Sequence, residues 1–121
     1  ILLAFEELEG LRWLPFLNPD GGKAYCNTQQ ILPMPVITGA MEYPQDVEGK
    51  IKAHFPDAVF VDALSLANEA GSVKAVNTVL LGVLAKKMDI EKNVWLDAIR
   101  SVVKPKFIEM NEKAFLLGYG L

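Results

Sequence analysis

Cysteine and histidine are almost missing from this chain of 121 residues: Cys26 and His54 are the only examples. One cysteine excludes an internal disulfide and a zinc or iron–sulfur site built from four cysteines. One histidine leaves little for general-base work or metal ligation. His54 falls in the last turn of an expected helix, where a cation suits the helix dipole. No apolar run approaches the ~20 residues needed to span a bilayer, so no transmembrane helix and no membrane partner are expected. A dominant charge is lacking too. With 12 basic and 15 acidic residues the net charge is −3, which gives no footprint for nucleic acid. A phosphate loop is absent: Gly21–Gly22 in "PDGGK" has the spacing of neither glycine-rich fingerprint. The default expectation is a cytosolic protein.

What remains is apolar and orderly. Half of the residues are hydrophobic (51%) and 22% are charged, so the chain can bury a core. Its length fits a single domain over residues 1–121. Ile1–Phe5 reads as the middle of a buried strand, which predicts a piece of a longer protein, truncated at its N-terminus. Glu6 and Glu7 favour a helix start, and Leu8, Leu11, Trp13 and Leu14 continue it to Pro15. Asn18–Gly22 is a turn by composition, and Lys23–Thr28 reads as a second strand. "ILPMPVITG" is apolar, but Pro33 and Pro35 allow it only as an extended edge segment. Pro44–Phe55 reads as an amphipathic helix and Val59–Val61 as the clearest strand.

Asp62 is placed to N-cap a helix over Ala63–Ala70, with Gly71 as its stop. Three helices follow: from Ser72 through Met88, from Asp89 through Val103, and from Pro105 to Gly118. Strands alternating with helices imply an α/β fold with a mostly parallel sheet, followed by a C-terminal run of helices.

Two features invite a functional reading. In "AVNTVLLGVLAKKM", Asn77 and Gly82 interrupt an otherwise apolar helical face, and both weaken a helix relative to alanine. Gly82 suggests close approach of another backbone. Asn77 either bonds a neighbouring loop or faces a cofactor or partner subunit. "NTQQ" (Asn27, Thr28, Gln29 and Gln30) ends a strand, where open α/β sheets bind ligands. Those side chains suit an amide, a pyrophosphate or a carboxylate, or else satisfy their own turn. Cys26 reads as a buried structural thiol, and Trp13 and Trp95 as core or interface anchors. Lys86, Lys87, Arg100, Lys104 and Lys106 form a modest basic group: a solvated face, or a contact for an acidic partner or a cofactor's phosphates. No nucleophile–base pair and no metal cluster emerges, so the catalytic residues stay unassigned.

"AGSVKAVNTVLLGVLAKKM" and "NEKAFLLGYG" resemble the C-terminal signature of the gamma-type subunits of 2-oxoacid:ferredoxin oxidoreductases. "LLAFEELEGLRWLPFLNPDGGKAYCNTQQILP" is similar to the same family, with its closest likeness among the beta subunits of the indolepyruvate branch. Asn77, Gly82, Asn111, Ala114, Phe115 and Gly118 fall on the family's pattern. The resemblance implies a three-layer α/β/α domain lacking the family's N-terminal strand and glycine-rich loop. It further implies a subunit of an enzyme that oxidatively decarboxylates a 2-oxoacid with coenzyme A and passes electrons to ferredoxin. Thiamine diphosphate, magnesium and iron–sulfur clusters are then expected in a larger alpha subunit, with none held by this chain alone. Asn27, Thr28, Gln29 and Asn77 become candidate contacts for coenzyme A or another cofactor, and the isolated chain is expected to be inactive. Self-association as a homodimer along Ile1–Phe5 is expected as well. The alternatives are a non-catalytic binding or assembly module of the same fold, or a gamma subunit acting on pyruvate, 2-oxoglutarate or branched-chain 2-oxoacids.

Overall fold

Three short strands and seven α-helices make up the chain, and a computed structural model describes all of residues 1–121. It divides into two compact units, Ile1–Val61 and Asp62–Leu121.

The first unit holds the sheet. Strands β1 (Leu2–Ala4), β2 (Ala24–Asn27) and β3 (Val59–Val61) lie in the order β1-β2-β3, and both pairings are parallel. The α/β expectation with a parallel sheet is met. Helix α1 (Glu7–Trp13) runs from β1 toward β2; α2 (Met34–Ile37) and α3 (Val47–His54) lie between β2 and β3. One face of the sheet carries Ala4, Ala24 and Cys26, which form a buried cluster with Leu14, Leu17, Val47, Ile51 and Ala58. Small side chains on that face let α1 come close. A Cβ on Gly10 would lie 2.8 Å from the Cys26 sulfur and 3.3 Å from Ile51. Burial, reinforced by the charge of Glu7, pushes the Cys26 thiol up to about 11, as befits a structural cysteine.

In the first unit, two segments depart from the sequence reading. "ILPMPVITG" joins no ladder; after Pro33 it turns into α2, whose Pro35 occupies the first turn. The missing N–H that keeps proline out of a central strand costs nothing there. Helix α3 begins at Val47, not Pro44, because Asp46 adopts a left-handed conformation (φ 51°) and its carboxylate accepts the Gly49 N–H at 3.1 Å.

The second unit is helical throughout. α4 (Ala63–Ala70) has the limits read from sequence, with the Asp62 carboxylate accepting the Ser65 N–H at 3.0 Å. Ser72 caps a short 3-10 turn, Val73–Ala75, which leads into α5 (Val76–Ala85). The expected cap at Asp89 does not form: α6 (Lys92–Val102) follows Glu91. A 3-10 turn at Pro105–Phe107 opens α7 (Ile108–Tyr119). Phe115 is fully buried at the centre of this unit, with ring centroids 5.8 Å from Tyr119 and 6.5 Å from Trp95. No helix is long and apolar enough to cross a membrane.

Candidate functional site

The carboxyl edge of the sheet, where β1 and β2 end, is the place an open α/β sheet offers to ligands. Here Asn27 is the last residue of β2 and is wholly buried. Its amide Nδ2 donates to the Phe5 carbonyl at 3.1 Å and, at 3.4 Å, to the Gln29 side-chain oxygen. Thr28 and Gln29 are half-buried; the Thr28 N–H donates to the Val61 carbonyl at 2.9 Å, and the Gln29 carbonyl accepts from Glu7 at 3.1 Å. The "NTQQ" polar groups therefore stitch the strand ends together.

Two carboxylates complete the edge. Glu6 and Glu7 are both buried, although the sequence marked them only as acids at a helix start. Glu6 Oε2 accepts the Glu9 N–H at 2.9 Å and so caps α1. Its Oε1 accepts both the Ile31 N–H, at 3.2 Å, and the Tyr43 hydroxyl, at 2.9 Å. Glu7 Oε2 accepts from the Gln30 amide at 2.6 Å. Buried carboxylates are tolerated when hydrogen-bonded in this way. Desolvation, together with the hydrogen bond to Glu6 and the charge of Glu6, holds the Tyr43 hydroxyl well above its usual range. The helix start at Glu6 was legible; the ties to Ile31 and Tyr43, distant in sequence, were not.

Asn77 lies in the second unit, on α5, and is exposed. The loop bond considered for it does not form. Its neighbour Thr78 is buried instead, and the Thr78 hydroxyl donates to Asn111 Oδ1 at 2.7 Å, with Asn77 Oδ1 farther off at 3.4 Å. Asn111 in turn donates to the Phe107 carbonyl at 2.9 Å, fixing the start of α7. Asn77→Ala should therefore leave the denaturation midpoint of this chain within about 0.5 kcal/mol of the parent, as surface changes usually do. A loss above about 1 kcal/mol in denaturant melts would show a buried role.

Gly82 does meet the expectation of close packing, and Gly118 packs as closely from the facing helix. A Cβ on Gly82 would collide with the Phe115 carbonyl oxygen and stand 2.8 Å from the Tyr119 nitrogen. One on Gly118 would collide with the Val79 carbonyl oxygen. The two glycines thus set the backbones of α5 and α7 directly against one another. Two members of the basic group are engaged: Arg100 pairs with Asp97 and Glu112, and Lys86 donates to the Leu121 carbonyl.

Against known proteins, the pattern of the pyruvate ferredoxin/flavodoxin oxidoreductase family matches residues 1–121. The chain belongs to that family. It is similar to the indolepyruvate oxidoreductase subunit IorB of Archaeoglobus fulgidus, with 32% identity over 98% of this chain and 61% of that protein. The proteins of the same name from Thermococcus kodakarensis and Pyrococcus horikoshii are each 33% identical, over 98% of this chain and 60% of their own length. The chain thus spans about three-fifths of the curated relatives it matches. No solved structure matches it. Gly82, Asn111, Phe115 and Gly118, four of the residues that carry the resemblance, all lie where α5 packs on α7. The donor set does not fit an iron–sulfur cluster, since Cys26 is the sole cysteine and is packed inside the core. Nor does any group of three or more His, Cys, Asp or Glu side chains stand together as metal ligands.

Proposed function

We propose that this chain serves as a subunit of a 2-oxoacid:ferredoxin oxidoreductase that acts on indolepyruvate or a related arylpyruvate. One observation carries the reading: about one-third identity, along nearly the whole chain, to proteins named as indolepyruvate oxidoreductase subunits. In this reading the 2-oxoacid loses carbon dioxide, its acyl group passes to coenzyme A, and the electrons leave to ferredoxin. Thiamine diphosphate, magnesium and the iron–sulfur clusters belong to a larger alpha subunit, and this chain supplies a packed scaffold beside it. Thr28, Gln29 and Asn77 are the polar side chains offered to coenzyme A or to that subunit, while Asn27 shapes the edge from behind by holding the Phe5 carbonyl. Pairing of two copies along β1, an outer strand of its sheet, accompanies the same reading; light scattering over a concentration series measures it. The setting proposed is the cytoplasm.

The test is an assay of this chain with indolepyruvate, coenzyme A, thiamine diphosphate and an electron acceptor. No turnover above a no-protein control is expected until the purified alpha subunit is added. Turnover by this chain alone would overturn the division of labour.

A further inference from the structure

Beyond Thr28 and Gln29, the excursion that carries the chain from β2 to α3 has no task in that account. No residue from Thr28 to Asp46 is buried. Surface loops of this kind are ordinarily polar, yet Ile31, Leu32, Met34, Ile37 and Met41 are all exposed, four of them by more than half. From Thr28 through Met41 the sequence contains no ionisable side chain.

The segment is nonetheless ordered. Its two ends meet on one oxygen, Glu6 Oε1, which accepts the Ile31 N–H and the Tyr43 hydroxyl. Between those ends, Ile37 and Thr38 donate to the Pro33 and Met34 carbonyls, and Met41 to that of Pro35. A closed loop clasped at its base presents its outer side chains with much of the ordering entropy already lost, which favours binding.

Charge identifies the occupant. Phosphate-bearing ligands, nucleic acids and anionic membranes are all held by cations, and the segment has none. A neutral, apolar protein surface matches it, with two methionines able to adapt their shape. Relatives named as subunits point to a second kind of polypeptide.

We propose that Ile31–Met41 is the surface through which this chain docks a neutral, apolar patch of the larger subunit, held ready by the clasp of Glu6 on Ile31 and Tyr43. The inference rests on the subunit reading and adds the place of contact. Titration of the purified alpha subunit with this chain tests it, using the parent, Ile37→Lys and Tyr43→Phe. Ile37→Lys sits on the exposed side, so its own melt should be unchanged while its affinity falls about tenfold or more, because a lysine is carried into an apolar contact. Tyr43→Phe touches no partner and should weaken binding several-fold by loosening the loop. Parental affinity in Ile37→Lys overturns the docking surface, and parental affinity in Tyr43→Phe overturns the clasp. If Ile37→Lys abolishes self-association yet still binds the alpha subunit normally, the surface belongs to a second copy and the proposal falls. A parent chain that does not bind the alpha subunit at all defeats the subunit reading itself, and this inference with it.

Discussion

Gly82→Ala should destabilise the chain by about 3 kcal/mol, although alanine is the better helix former by roughly 1 kcal/mol. The sign of the change therefore reports the contact. Were α5 exposed at that position, the substitution would stabilise. The added methyl instead collides with the Phe115 carbonyl oxygen and lies 2.8 Å from the Tyr119 nitrogen. Both are backbone atoms of α7, which cannot rotate aside as a side chain can, so the helices must separate. Separation loosens the contacts of Val79, Leu80 and Val83, all buried on α5. Gly118→Ala meets the Val79 carbonyl from the other side and should cost a similar amount. Because either change forces the same separation, the double variant should lose much less than the sum of the two. Denaturant melts of the four proteins measure this; additive losses, or a stabilised single variant, would refute the shared contact.

That pair shows where sequence reasoning reaches and where it stops. Gly82 stood out locally as a glycine in an apolar helix. Gly118 matched a family pattern, but nothing along the chain says that the two glycines face the same helix pair. Helix α4 was legible to the residue, since Asp62 and Gly71 are local start and stop signals. Asn77 was one position off: the buried hydrogen bond belongs to Thr78, about 100° farther round the helix. The prolines of "ILPMPVITG" rightly argued against a central strand, but the same residues are accepted in a helix's first turn, and the loop took that option. Glu6 was read as a helix-start acid, which it is. Its larger role depends on Ile31 and Tyr43, partners that only the fold brings to it.

Glu6→Ala should accordingly cost about 3 kcal/mol, the combined effect of losing a cap and leaving the Ile31 and Tyr43 donors without their acceptor. Glu6→Gln keeps an acceptor oxygen and should fall between the variant and the parent. Alkaline pH separates this clasp from a mere loss of helix propensity. In the parent, Tyr43 is held above the ordinary value of 10.0 by burial first, then by the hydrogen bond and charge of Glu6 and by the charge of Glu7. A hydroxyl raised in the folded state contributes stability fully below pH ~10, where the unfolded chain's tyrosine is also neutral. That contribution is lost as pH rises beyond ~10, because the unfolded state then ionises first. Removing Glu6 takes away two of the four raising causes and leaves burial and the charge of Glu7, so the variant should lose less with rising pH than the parent does. Tyr25 and Cys26 are also raised by burial, but they titrate in both proteins and cancel in the comparison to first order. The stability gap between parent and Glu6→Ala should therefore narrow above pH ~10. A gap of constant size across the alkaline range would mean that Glu6 acts on α1 alone, and that Tyr43 is held by something other than the clasp.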